Sequence, residues 1–319
     1  MDADIFRTFV RGILSTHYTH ITMSVKVKEV IDALERFAPL PLQESYDNAG
    51  LQVGLTEAEV SGALLCLDVT EEVVREAVDL GCNLIVSHHP VLFRGLKQVS
   101  DATQVQRVVR LAIQNDIAIY SAHTNLDKAE DGVNYQMAER LGLIDVVPAG
   151  DCGVVGYLSA PMDARFFLDR VKDVFHCQCL MHNEVLSRPI QSVAICGGGG
   201  DFLLDEAIAQ EADAFLTGEM RYHLYMGHEQ EIQICVLGHY ESEQYTVELL
   251  ERLLSEQFPH LPLRLLGPSE AAVARVAGKY RWKLLLKCRA DADTRRLLSG
   301  LLADFGRDKA NKGVSMFID

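Results

Sequence analysis

Asn83-Leu84-Ile85-Val86-Ser87-His88-His89-Pro90 decides how this chain is read. A short apolar run, residues 83–86, is cut off by polar residues and a proline, the pattern of a buried strand with two imidazoles at its carboxyl end. Upstream, residues 63–67 form another apolar strand and 71–80 a helix. Downstream, residues 101–115 read as a helix, 117–121 as a third strand and 132–141 as a helix stopped at Gly142. Strands alternating with helices imply crossover units and a largely parallel sheet. Ahead of them, Val27, Val30, Ile31, Leu34 and Phe37 recur at helical spacing within 25–37, and Pro39 and Pro41 end that helix. Residues 45–54, with Tyr46-Asp47-Asn48-Ala49-Gly50, read as a loop.

The alternation repeats. Strands are expected at 153–159, 192–196, 214–216 and 232–237, and helices at 164–174, 203–210 and 243–257. The fold class is therefore α/β, with two lobes of mixed, largely parallel sheet at about 23–148 and 149–260. Behind a linker around Gly267-Pro268-Ser269 lies a small α+β tail: strand 282–288, helix 291–303, strand 314–318.

The bulk properties exclude several classes. Hydrophobic residues make up 48% and charged residues 24%, as in ordinary globular proteins. No apolar run reaches the roughly 18–20 residues of a membrane span. Residues 1–22 lack a signal peptide's apolar core and cleavage site, and read as an extension ahead of a second methionine, Met23. The eight cysteines have no framework spacing, which suits a reducing, cytoplasmic setting. A net charge of −15 argues against nonspecific nucleic-acid binding by the whole chain. The charge is uneven: residues 264–312 carry twelve Lys/Arg against five Asp/Glu, a local +7 that leaves −22 elsewhere. Such asymmetry marks the tail as a separate unit.

Three segments carry candidate chemistry, each just after a strand. The first is Ser87-His88-His89-Pro90. Side chains alternate on a regular strand, but at a frayed end both imidazoles can turn into one crevice, where open α/β sheets bind ligands. The second is His123-Thr124-Asn125-Leu126-Asp127, where histidine and carboxylate stand four residues apart. The third is His239-Tyr240-Glu241-Ser242-Glu243, which places His239 and Glu243 on one helix face and Glu241 elsewhere. Taken singly, each segment could equally be surface histidines or helix caps. Together they supply four imidazoles and two carboxylates, a set suited to Zn, Mn, Fe or Co rather than Mg or Ca. Six ligands exceed what one open catalytic zinc takes, and suit two metals about 3.5–4 Å apart.

These segments, with Leu64-Leu65-Cys66-Leu67-Asp68-Val69-Thr70, Gly132-Val133-Asn134 and Thr217-Gly218-Glu219-Met220-Arg221-Tyr222-His223, resemble the GTP cyclohydrolase 1 type 2, or NIF-three-like, family over about residues 23–260. The resemblance implies a dinuclear metal site between the lobes, formed by His88, His89, Asp127, His239 and Glu243, with His123 a further ligand. It implies two divalent ions per subunit and a toroidal homohexamer with the metals facing an internal cavity. It also implies a hydrolase acting on GTP or a related nucleotide, opening the purine ring at C8 through a hydroxide generated on metal. Glu243 is the candidate bridging carboxylate and catalytic residue. The alternative is a metal-binding scaffold or regulatory interaction protein without turnover.

Other features are less specific. Gly197, Gly198, Gly199 and Gly200 join a strand to a helix and could cradle an anion or simply make a tight turn. Glu219, Tyr222 and His223 could reach the metal crevice. His176-Cys177-Gln178-Cys179 with His182 has the residue types for zinc, but no second paired thiolate motif follows. The tail, including Leu266-Gly267-Pro268, residues 278–287 and Val314-Ser315-Met316-Phe317-Ile318-Asp319, resembles the extreme C-terminal domain of the primosomal replication-restart helicase. No GxxxxGK[ST] motor loop accompanies it. Its basic strip with Tyr280 and Trp282 could contact single-stranded nucleic acid, or be a solvated basic face on a small packing module.

Overall fold

The computed structural model describes residues 24–266, together with the backbone of two strands at 269–276 and 279–283. The N-terminal extension, and the tail helix and last strand expected at 291–303 and 314–318, lie outside the described residues.

The first sheet has the order β1-β4-β3-β2-β11, formed by β1 (Gly50–Val53), β2 (Ala63–Cys66), β3 (Leu84–Ser87), β4 (Ala118–Ser121) and β11 (Leu263–Leu265). β4, β3, β2 and β11 are parallel, and β1 pairs antiparallel with β4. β1 corrects the loop expected over 45–54. Four residues were too few to show alternation, and Gly50, at φ +108°, looked like a turn signal. Every residue of β2, β3 and β4 is buried, as their near-continuous apolar runs require of a sheet covered on both faces.

One face of this sheet is covered by α1 (Val27–Phe37) and α9 (Thr246–Gln257), through Val30, Leu34, Leu250 and Leu254. The other is covered by α2 (Glu71–Asp79) and α3 (Gln104–Gln114), through Val73, Ala77, Val108 and Ala112. Local chemistry starts these last two helices: Thr70 and Thr103 accept hydrogen bonds from the backbone N–H groups of Val73 and Gln106. Because α9 and β11 come after the second sheet yet pack with the first, the two cores are not consecutive halves of the chain.

The second sheet has the order β5-β6-β8-β9-β10-β7, formed by β5 (Ile144–Ala149), β6 (Gly153–Met162), β7 (Met181–His182), β8 (Ile190–Cys196), β9 (Ala214–Thr217) and β10 (Gln233–Val236). Only β8, β9 and β10 are mutually parallel; β5, β6 and β7 join antiparallel. The edge strands β5 and β7 were not legible beforehand, being mostly exposed and without an apolar run. α5 (Val133–Leu141) and α6 (Ala164–Val174) pack on one face with Phe167, Phe175 and Leu216, and α7 (Leu204–Ala209) on the other with Phe215.

Beyond Leu266 the chain forms a second compact unit. Its described part is a hairpin of β12 (Ser269–Val276) and β13 (Lys279–Lys283). No helix among the described residues is long and apolar enough to cross a membrane.

Candidate metal centre

Six strands deliver the site. β2, β3 and β4 lie side by side in the first sheet, and β8, β9 and β10 in the second. Just past their carboxyl ends come Asp68, His88 and His89, His123, Gly198, Glu219 and His239.

The adjacent imidazoles of His88 and His89 converge because the strand alternation is broken at Ser87. Its hydroxyl, 2.8 Å from that of Ser121, donates to the His89 carbonyl at 2.9 Å and folds the chain end over. The two rings then sit 4.9 Å apart, centroid to centroid. His123 follows β4 and opens the short helix α4 (Thr124–Lys128), its ring 5.3 Å from His88 and 5.5 Å from His89. α8 (His239–Glu243) begins after Gly238, at φ +112°, and its single turn sets His239 Nε2 3.2 Å from Glu243 Oε2. The helix expected over 243–257 starts instead at Thr246, and Glu243 closes a separate turn of helix before it. Glu241 folds back over Gly238, away from the cluster, as its spacing predicted.

Each imidazole is held from behind. His88 Nδ1 donates to the Ala122 carbonyl at 2.8 Å, and because a carbonyl can only accept, the proton sits on Nδ1 and Nε2 faces inward. His89 Nδ1 meets Asp68 at 2.9 Å, His123 Nδ1 meets Asp47 at 2.7 Å, and His239 Nδ1 meets Glu219 at 2.9 Å. Such outer partners fix ring orientation and raise ligand basicity in metal sites. Asp47 and Asp68 carried no assigned role in the sequence reading. The available signal was an acidic residue in each glycine- or strand-bounded segment, but neither stands at ligand spacing from a histidine. Glu219 reaches the site as suggested. Tyr222 is exposed and packs against His223. Cys177 is buried, Cys179 is exposed, and neither they nor His182 fall in a metal-competent group among the described residues.

Glu243 lies at the centre, buried. Its Oε1 is 3.7 Å from His88 Nε2, and its Oε2 is 3.0 Å from His89 Nε2. Asp127 Oδ1 approaches His88 Nε2 at 3.7 Å. The glycine run acts here as a wall. Gly198 has φ +56°, and a Cβ on it would lie 2.3 Å from Glu243 Oε1. The Ser242 hydroxyl accepts from the Gly198 N–H and donates to the His239 carbonyl, tying the glycine turn to α8.

The electrostatics are those of packed opposite charges. Burial works against charging His89, but Asp68 and Glu243 outweigh it and raise the ring to about 10. The Glu243 hydrogen bond raises His239 to about 9, against burial and with help from Glu219. Burial opposes charging His88 too, yet Asp127 and Glu243 carry it upward. Burial would neutralise Glu243, but His88, His239 and His89 hold its carboxyl well below the usual carboxylate range. Asp127 is pushed up by burial, against the pull of His88.

Two groups of three donors could hold a metal ion: His88, His89 and His123, and His89, His239 and Glu243, the atoms of each group lying within 4.8 Å of one another. The donor chemistry fits a transition-metal ion, mixing imidazole nitrogen with carboxylate oxygen. The buried atoms His88 Nε2, His89 Nε2 and Glu243 Oε2 have no partner outside the cluster itself, an arrangement that a bound cation would complete. Asp127 borders both groups without completing either. A separate groove of about 710 Å³, lined by Phe37, Tyr135, Arg252 and Leu253 among others, contains none of the six candidate ligands.

Comparison with known proteins identifies the family and the fold. The family described as Duf34/NIF3 (NGG1p interacting factor 3) matches residues 25–266, and the primosomal protein N C-terminal domain matches residues 233–319. A GTP cyclohydrolase 1 type 2 homolog from Clostridium acetobutylicum is 35% identical over 243 residues, 73% of this chain and 90% of the relative. The crystal structure of Staphylococcus aureus protein SA1388 superposes with a TM-score of 0.71 at 24% identity, over 79% of this chain and 99% of that one. A Bacillus cereus protein related to NIF3 gives 0.70 at 24% identity, over 79% and 99%.

Proposed function

Because the chain belongs to the Duf34/NIF3 family, we propose that it is a divalent-metal-dependent hydrolase acting on GTP or a related nucleotide, with two ions per subunit held by His88, His89, His123, Asp127, His239 and Glu243. The observation that carries the proposal is the pair of donor groups sharing His89, with three buried donor atoms that face only one another and the rest of the cluster. A single closed ion would not need two overlapping groups. The nucleotide comes from the name of the relatives, GTP cyclohydrolase 1 type 2 homolog.

Bound there, a pair of divalent ions would supply Lewis acidity and a water acidified toward neutral pH, enough to open a purine ring at C8. The chain's own residues prepare the site. Ala122, Asp68, Asp47 and Glu219 hold four imidazoles by Nδ1, so that Nε2 is the free donor of each. Glu243 offers one oxygen toward His88 and the other toward His89 and His239, the placement of a bridging carboxylate. Gly198, held in place by the Ser242 hydroxyl, leaves the room that this carboxylate occupies. Asp127, whose burial favours its neutral form, would gain from a bound cation the stabilisation that the protein withholds. The same reading takes the working form as a cytoplasmic toroidal homohexamer, which native mass spectrometry tests.

The deciding experiment loads purified protein with Zn, Mn, Fe or Co, measures metal per chain by elemental analysis, and incubates it with a nucleotide panel. Metal-dependent product that disappears in His89→Ala supports the hydrolase. Full metal occupancy with no turnover on any nucleotide makes the protein a metal-binding scaffold instead.

A further inference from the structure

The turn that follows the two histidines holds an uncovered phenyl ring at the mouth of the site. Phe93 is 42% exposed and its neighbour Tyr46 is 64% exposed. Their rings meet edge to face at 6.4 Å. Phe93 also stands at 86° to His123, with 6.1 Å between centroids. His123 touches the His88 and His89 rings in turn. A run of rings therefore leads from solvent to the imidazole cluster.

This placement is fixed by the protein. Asn48 donates to the Leu92 carbonyl at 2.7 Å, and the Gln52 side-chain carbonyl accepts from the Leu92 N–H at 3.2 Å. Leu92 and Leu96 pack against the first sheet's core on either side of Phe93. An aromatic residue anchored on both flanks but left open to water presents a flat apolar face at no further ordering cost, the property of a stacking platform. Charge points the same way. Arg94 and Lys97 lie on the same turn, exposed and without a hydrogen-bond or ion-pair partner among the described residues, in a chain of net charge −15. Open cations beside an open aromatic pair fit a ligand that is flat at one end and anionic at the other.

We propose that Phe93 and Tyr46 form a stacking subsite for the heteroaromatic base of a nucleoside phosphate, and that Arg94 and Lys97 receive its phosphates. The assignment rests on the metal-dependent hydrolase reading above and adds which residues hold the two ends of its nucleotide. It places the base one ring away from the candidate metal ligands and sends the phosphates outward along the turn.

The test is calorimetric titration of the full-length, metal-loaded chain with three probes: GTP, guanosine and inorganic tripolyphosphate. Phe93→Ala weakens GTP and guanosine by about tenfold or more and leaves tripolyphosphate unchanged, because base–aromatic stacking is lost. Phe93→Leu, which keeps apolar bulk without a π face, behaves as Phe93→Ala. The double variant Arg94→Gln/Lys97→Gln weakens GTP and tripolyphosphate, spares guanosine, and flattens the salt dependence. Metal content per chain stays at the wild-type value in all of them. The subsite is refuted if Phe93→Ala binds GTP and guanosine within about twofold of wild type, if wild type with bound metal takes up no GTP, or if Phe93→Ala changes the oligomeric state, which would make the ring a subunit contact. A chain that holds no metal defeats the underlying hydrolase reading, and the elemental analysis reports that separately.

Discussion

Loading the centre with metal should expel protons, and their number follows from the geometry. A metal needs the Nε2 lone pair of each imidazole, yet without metal His89 titrates at about 10, His239 at about 9 and His88 above its ordinary value, because carboxylates crowd all three. Near neutral pH these rings hold protons that the ion must displace. The sign is fixed: raised values mean that acid competes with metal, so affinity grows as pH rises toward those values and falls below them. At about pH 7.5, stripping His89 costs about 3 kcal/mol at 1.36 kcal/mol per unit. His239 is 40% exposed on its side chain, so solvent screening cuts its share to about 1 kcal/mol. Together the cost of about 4 kcal/mol lowers the product of the loading constants by about a thousandfold relative to a neutral cluster. Two displaced protons also give that product a slope of about a hundredfold per pH unit. The assay is isothermal titration of metal-free protein with zinc or manganese in buffers of different ionisation enthalpy, where the slope of observed heat against buffer enthalpy counts protons. At least two should leave per fully loaded chain near neutral pH. A slope below one, or affinity indifferent to pH between about 7 and 8, would refute the reasoning.

Asp68→Asn removes the carboxylate behind His89, so metal affinity should drop about 10- to 100-fold and fewer protons should be released, with the fold intact by circular dichroism. Gly198→Ala brings a methyl to 2.3 Å from Glu243 Oε1 and forces φ +56° on an L-residue; it should cost about 1–2 kcal/mol of stability in denaturant melts and abolish full metal loading. Phe167→Ala, at a fully buried position in the second sheet's core, should destabilise by about 3–5 kcal/mol without altering the metal stoichiometry of the chains that remain folded. Asp47 is held at about 2, against burial, by hydrogen bonds from His123 and Thr124. A lowered carboxylate stabilises above its unfolded value and stops doing so as pH falls through the folded one. About 2 kcal/mol should therefore vanish between about pH 4 and pH 2 in wild type, and this acid-sensitive portion should be absent from Asp47→Ala melts.

The buried strands and the positions of the candidate histidines were legible because each depends on its own neighbours. β3 announces itself as Leu84-Ile85-Val86, and His88, His123 and His239 follow apolar runs closely enough to be placed at strand ends. Strand β1 and the edges β5 and β7 were not, since an exposed or very short strand is defined by the partner it pairs with rather than by its own pattern. The outer layer was hidden for a related reason. Asp47 is 76 positions from His123 and Asp68 is 21 from His89, distances at which no local periodicity links residues.

By itself, then, the sequence determined an α/β chain, which residues are candidate donors, and that the histidines among them stand where parallel strands end. Those are consequences of hydrophobic period and chain punctuation, both short-range. Only the tertiary structure decided that β2, β3 and β4 of one sheet and β8, β9 and β10 of the other aim their carboxyl ends at one point, so that Glu243 meets the imidazoles of the distant His88 and His89 as well as that of its own helix, His239. It also decided that Ser87 turns two adjacent histidines the same way and that Gly198 leaves room for a carboxylate. Convergence of that kind is set by long-range packing of two covered sheets, and no spacing along the chain encodes it.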